Sequence, residues 1–437
     1  MILPRLIALA LAMLTVLALP VRAGTTLLRD ADIEYALSQL AAPVLQAAGL
    51  PASGTRIVLI DDSSLNAFVA DTSHIFIHSG LMMKLETAAQ LQAVIAHEAA
   101  HIANGHLSRR IANMRSARTA AGLGMVLAAA AAASGSGQGS LAIAAGSAGS
   151  AMRLFLSHTR AEESSADLSS VRYLVRAGID PRAAIQVQRL FSGQESLSVQ
   201  RQDPYTRTHP LSRDRLRALE SLAAGQAATP PNATAEYWFA RARGKLTAFK
   251  RAPSWTLRRA EDSASRDIAL MRQAVAHHRN SATGKAIAAI DGALALRKGD
   301  PYLMELKGQI LLESRNFGAA VQVYQAAART APREPLILGG LGRAMLAAGD
   351  FKAALQPLEA ARGRDASDAR VLRDLAVAYA KLGQPGMASV ATAERYALQG
   401  RMEDAELHAK RAIDQLPRGS GPWQRAEDVL SAAKRAK

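Results

Sequence analysis

The stretch AVIAHEAAHIANGH (residues 93–106) sets His97, Glu98 and His101 in an apolar run with no helix breaker before Gly105. Burying two imidazoles and a carboxylate without partners costs free energy, so the pattern needs a cause. On a helix, positions i and i+4 lie on one face a turn apart, and His97 and His101 can each direct a nitrogen toward a common point. Glu98, one step round, points to the side of that point. This is what a zinc peptidase needs: two neutral imidazoles as ligands, and a carboxylate close enough to take a proton from water at the metal. With 10 His in 437 residues, the H-E-x-x-H spacing arises by accident roughly 0.01 times per chain, which makes accident a poor account.

Catalytic zinc takes three protein ligands and leaves the fourth position to water, whereas a purely structural zinc has four closed ligands. Downstream, TRAEESSAD (159–167) supplies Glu163 as the best third ligand, with Asp167 one helical turn further on. Asp167 is placed to accept the remaining N–H of a ligand histidine and fix its orientation. Glu162 competes for the ligand role, and spacing does not separate the two. Among the other histidines, His106 reads as a capping or ligand-supporting residue, and His74 and His78 as structural. His158 has no assigned role, and His277, His278 and His408 read as surface or core packing.

TRIVLID (55–61) and SHIFIHSG (73–80) read as short strands between turn residues. Helical patterns surround them: 81–107, broken near Thr87, and 151–178, ending at Gly178. Between these, 120–152 is apolar but rich in Gly and Ser. It reads as two soft helices around a loop, packed in place or acting as a lid that touches membrane or substrate. AAGQAATPPNATA (223–235) reads as a linker.

The second half repeats every 34 residues. Gly308, Ala320, Tyr324, Ala327 and Pro332 fit the tetratricopeptide pattern in a unit starting at Pro301; Gly342, Ala354, Leu358 and Ala361 follow, and Ala274, Ala286, Ile290 and Ala293 precede. Leu375, Ala376, Tyr379 and Ala388 continue the series, after which the register jumps by half a unit. Tyr396, Ala405, Ala409, Ala412 and Pro417 fit a unit starting near Gly386, so one helix, about 387–398, serves two pairs. Such repeats stack into a superhelix with a concave binding face.

The fold class is therefore mainly α (α+β): a zinc protease domain with a small sheet, then an α-solenoid. The expected divisions are a signal peptide at 1–23, a peptidase domain at 24–228 and repeats at 229–437. The signal reading rests on Arg5, an apolar run of about 14 residues and the small-residue ending at Ala23; the run is shorter than the roughly 20 residues that span a bilayer. Export without a single cysteine excludes a disulfide framework and fits a Gram-negative periplasm. Residues 24–232 carry 18 Lys+Arg against 16 Asp+Glu, and 233–437 carry 33 against 21. The basic surplus of the second half suits acidic proteins or an anionic membrane surface; nucleic acid is not an expected partner.

The motif H-E-x-x-H, followed by R-x-x-E-x-x-A-D (Arg160, Glu163, Ala166, Asp167) and T-H-P-x-x-x-x-R (Thr208, His209, Pro210, Arg215), resembles the HtpX-like gluzincin metallopeptidases. NAFV (66–69) and HSGLM (78–82) match the strand region before that family's zinc helix. With an export signal and repeats appended, the chain resembles the periplasmic BepA-like branch. The resemblance implies one Zn2+ held by His97, His101 and Glu163, Glu98 as general base and acid, and Asp167 behind the ligands. It implies two possible roles for His209: approaching the zinc and holding the enzyme quiet, or supporting the oxyanion, a part Arg215 could share. It further implies unfolded or misassembled outer-membrane proteins and their assembly machinery as clients. The strand at 74–79, given a free edge, would hold substrate extended. The rival expectation is a chaperone or assembly adaptor that works through the repeats, with the protease site latent.

Overall fold

The computed structural model describes residues 26–52, 54–110, 159–194, 197, 201–210 and 212–436. The signal-peptide, 120–152 and His158 readings lie outside the described residues. The fold is mainly helical, with one four-stranded sheet in the first half and a solenoid of helix pairs in the second. Among the described residues no helix is long and apolar enough to cross a membrane.

The helices of the first half begin where local chemistry dictates. Helix α1 (Ala31–Ala47) starts at Asp30, whose side chain accepts from the Ile33 amide. The 81–107 pattern divides into α2 (Ser79–Lys84) and α3 (Ala88–Ala103), and Thr87 caps α3 by accepting from the Gln90 amide. Such a cap satisfies a backbone N–H that has no partner inside the helix. Helix α4 (Arg160–Arg176) opens with a reciprocal capping box between Thr159 and Glu162. Gly178 follows it at φ 70°, where a side chain would be strained. Helices α5 (Arg182–Leu190), α6 (Pro204–Thr208) and α7 (Arg213–Ala224) complete this half.

Strands β1 (Leu27–Leu28), β2 (Arg56–Ile60), β3 (Ala67–Val69) and β4 (His74–His78) lie in the order β1-β2-β4-β3. β2 and β4 are parallel, and both outer pairings are antiparallel. This corrects the substrate-strand expectation, because β4 pairs on both sides and has no free edge. The outer strand next to the α3 histidines is β3, whose register sets Ala67 opposite Ile77. At the end of β4, a Cβ on Gly80 would lie 2.1 Å from the Ser63 carbonyl oxygen, so only glycine permits this approach.

Leu37, Leu40, Leu91, Val94, Ile95 and Leu174 are buried in one core between α1, α3 and α4. Each such side chain contributes about 1.5–3 kcal/mol of burial. Helix α8 (Ala233–Lys250) follows the non-helical stretch 225–232, yet Phe239, Ala242 and Leu246 belong to that same core. Its Ala248 belongs to the next core, with Ile268 and Met271. Helix α8 is thus shared by both halves.

After α9 (Pro253–Arg258) the pairs run α10/α11 (Arg266–Arg279, Thr283–Leu296), α12/α13 (Pro301–Glu313, Phe317–Thr330), α14/α15 (Pro335–Ala347, Phe351–Arg364) and α16/α17 (Ala369–Lys381, Pro385–Leu398). Their first helices begin within a residue of the 34-residue spacing. A Cβ on Gly308 would lie 2.7 Å from the Tyr324 ring, and one on Gly342 would lie 2.4 Å from Leu358; small residues recur because paired helices touch there. In α17 the fully buried positions are Val390 and Ala393, not Ala388. Ala405, Ala409 and Ala412 of α18 (Met402–Gln415) are buried as well. The half-unit jump is therefore a packing feature: α17 turns one face to α16 and another to α18. Helix α19 (Gly421–Arg435) closes the stack through Ala426, Val429, Leu430 and Ala433.

Candidate metal centre

Helix α3 brings His97 and His101 onto one face, with the Nε2 atoms 3.1 Å apart. Helix α4 crosses that face and delivers Glu163, whose Oε2 lies 3.4 Å from His97 Nε2 and whose Oε1 lies 3.3 Å from His101 Nε2. His209, at the end of α6, completes the group, with Nδ1 2.9 Å from Glu163 Oε1. One donor atom from each of His97, His101, Glu163 and His209 falls within 4.8 Å of every other, and all four residues are buried. Glu162 is elsewhere: its carboxylate closes the α4 capping box and pairs with Arg110 at 3.3 Å. Helical geometry separates the adjacent acids, one facing inward and the other spent on the helix end.

The surroundings orient these donors. Asp167 Oδ1 lies 3.2 Å from His97 Nδ1, on the side of the ring away from the cluster. Arg215 grips Asp167 through two bonds of 2.8 and 2.9 Å, donates to the Pro210 carbonyl and reaches Glu163 Oε2 at 2.7 Å. Its guanidinium is committed to these acceptors. His106 Nδ1 lies 2.9 Å from His101 Nδ1. His78 instead meets Ser64 at 2.9 Å, and His74 meets Asp71, both on the β4 side. His278 pairs with Glu313, and the His408 ring lies against Tyr396.

Sequence reasoning missed Tyr205. Its ring lies 4.4 Å from that of His209 and stacks on Phe191 at 4.6 Å, and its carbonyl accepts from the His209 amide at 2.7 Å. The available signal was its position four residues before His209, one turn of helix. Ala67 was missed for another reason. Its main-chain oxygen, 3.3 Å from His209 Nε2, carries no side-chain signature.

Electrostatics distinguish the members. Burial opposes charge on His97, Glu98, His101 and Glu163, but Glu163 and Asp167 outweigh it for His97 and push it up to about 10. His101 goes the other way, to about 3, because burial dominates there. Burial raises the Glu98 carboxyl, and His209 and His97 only partly offset it. Glu163 is held well below the usual carboxylate range: His209, His97 and a His101 hydrogen bond overcome its burial.

The donors fit a metal of borderline softness: imidazole nitrogens and one carboxylate. Both Glu98 oxygens are buried without a hydrogen bond, although Oε1 lies 3.4 Å from His209 Nε2. A buried carboxylate left in that state costs free energy unless something else meets it. Metal binding needs neutral imidazoles, so it would release the proton that His97 holds.

Residues 28–223 match peptidase family M48, and residues 311–372 match the tetratricopeptide repeat. The chain carries an M48 peptidase domain. It is 30% identical over 161 residues to the putative beta-barrel assembly-enhancing protease of Vibrio cholerae, covering 36% of this chain and 32% of that one. Identity to the beta-barrel assembly-enhancing protease of Yersinia pestis is 24% over 222 residues, covering 51% and 45%. With the Escherichia coli protein of that name it is 23% over 408 residues, covering 91% and 82%. In the first two comparisons the chain thus spans from a third to under half of the relative's length. A solved MamA structure overlaps 37% of this chain and 96% of its own at 18% identity, with a TM-score of 0.32. The α3–α4 histidine and glutamate cluster lies inside the M48 domain.

Proposed function

We propose that the chain is a periplasmic zinc endopeptidase whose M48 domain cuts unfolded or misassembled outer-membrane proteins, or components of their assembly machinery, held by the repeats. One observation carries the reading. Donors from His97, His101, Glu163 and His209 converge on a single point, and the Glu98 carboxylate lies buried beside it without a hydrogen bond. The names of the relatives support the client class.

In this reading His97, His101 and Glu163 hold the zinc. When bound, zinc supplies Lewis-acid polarisation of the scissile carbonyl and a lowered water pKa. Glu98 accepts the proton of the attacking water at one carboxylate oxygen and returns it to the departing amine. Asp167 holds the His97 ring by its Nδ1 side, and Arg215 holds Asp167. With both edges of β4 paired, β3 is the outer strand beside the α3 histidines and the one placed to accept an extended substrate, which restricts cleavage to loops and unfolded segments.

The test is Glu98→Gln. The purified variant is expected to retain zinc and lose casein cleavage, and unchanged cleavage overturns the role of Glu98. A latent state, in which the repeats act mainly as a chaperone, is favoured by His209 standing as a fourth donor. His209→Ala is then expected to raise casein cleavage; a fall would assign His209 to the oxyanion instead.

A further inference from the structure

The start of α1 lies away from the metal centre and is engaged by the repeats. Arg29 donates to Asp365, at the end of α15, at 2.6 Å. Asp30 Oδ2 lies 2.9 Å from Lys245 Nζ, and Asp32 Oδ1 lies 2.8 Å from Arg241 Nε. Lys245 and Arg241 are themselves buried, on α8. One turn on, the Tyr35 ring stacks on Tyr302 of α12 at 4.6 Å and meets Trp238 edge-on at 5.1 Å. Ala31 packs with Leu336 and Ile337 of α14. Five residues at the start of α1 thus reach α8, α12, α14 and the end of α15.

Arg29, Asp30 and Ala31 of this segment line one wall of a cavity of about 600 Å³. The opposite wall comes from the first helices of three successive pairs: Glu305 and Gln309 of α12, Gly339 and Arg343 of α14, and Val371 of α16. First helices that share one face are what a superhelix presents on its concave side. The peptidase segment therefore occupies part of the surface on which a solenoid holds its partners. Glu305 Oε2, in that wall, is buried without a hydrogen bond.

We propose that Arg29–Tyr35 is a built-in ligand of the solenoid, and that the partner this face fits is a polypeptide segment of the same chemistry. Such a segment has two acids separated by one residue at a helix start, followed three residues later by an aromatic ring. The acids meet Lys245 and Arg241, and the ring enters the Tyr302–Trp238 corner. A tethered segment acts at an effective concentration in the millimolar range, so the cis ligand excludes a weak trans partner and admits one that matches it. The inference is independent of the peptidase reading.

The probe is a labelled synthetic peptide of residues 27–40, LLRDADIEYALSQL, titrated into the full chain. In the full-chain variant Asp30→Asn/Asp32→Asn the receptor side is intact and the cis acids are gone. That variant is expected to bind the peptide at least roughly tenfold more tightly than the parent chain does. Equal binding to variant and parent overturns the proposal. So does equal binding of a control peptide with both acids replaced by Asn. If a circular dichroism melt shows that the double variant does not fold, Arg29→Gln carries the same comparison, since it removes the link to Asp365 together with the pair to Glu34 inside the segment. Hydrogen exchange gives a second reading on it: the amides of Ile33 to Leu37 are expected to exchange faster than in the parent, and unchanged exchange overturns the lock.

Discussion

Two regions of this protein bury clusters of charge, and they are built on opposite plans. At the metal centre the donor atoms of His97, His101, Glu163 and His209 crowd toward one point, and Glu98 is left without a hydrogen bond. At the α1–α8 junction each acid faces a base: Asp30 and Lys245, Asp32 and Arg241, Asp300 and Arg241. Convergence of donors costs free energy that a cation can offset, whereas at the junction opposite charges offset one another, Arg241 serving two acids. Burial of charge is common to both; the direction in which the atoms point marks the site.

Several substitutions would break or sharpen this contrast. The largest effect is expected from Glu163→Ala, which removes a converging carboxylate. Zinc content and casein cleavage should both be lost while the helical circular dichroism persists; retention of zinc would break the contrast at the metal centre. Next is Arg241→Ala, which strands Asp32 in the interior. Breaking a buried pair by removing one partner costs about 3–5 kcal/mol, read as a lower denaturation midpoint, with zinc affinity unchanged. Arg215→Ala should be intermediate in kind, since Arg215 supports a converging site by pairing. Loss of an outer partner typically weakens metal affinity roughly 10–100-fold, measurable by competition with a chelator.

The smallest effect concerns acid. Burial opposes ionisation of Asp365, but Arg29, a Ser367 hydrogen bond and Arg56 hold its carboxyl well below the usual range. Its native pKa is depressed, so its contribution is present above the ordinary value near 3.8 and is lost as pH falls through the lower native value. Asp365→Asn should therefore lower stability at neutral pH and flatten the acid limb of the stability curve. A parallel downward shift at every pH would count against the pairing.

How much of this was legible beforehand depended on range. The break near Thr87, the α3 face and the 34-residue period are local patterns, and the helices begin where those patterns place them. The half-unit jump at α17 was legible too, because Ala405, Ala409 and Ala412 kept the repeat's small positions. Tyr205 was not read, since an aromatic ring in a short helix has many uses. The dual membership of α8 was hidden by the Pro-rich stretch before it, which looks like a free linker but leads into a helix packed on the first core.

By itself, then, the amino-acid sequence determined the helical face carrying His97 and His101, the repeat period and the absence of any covalent clasp, because each is set by spacing along the chain or by residue type. Tertiary structure alone decided that Glu163 turns inward while Glu162 caps, that His209 joins the donors from more than a hundred residues away, and that β4 is interior. It also decided that Arg29–Tyr35 enters the solenoid. Those outcomes depend on which surfaces meet across long loops, and side-chain chemistry within a few residues carries no record of that.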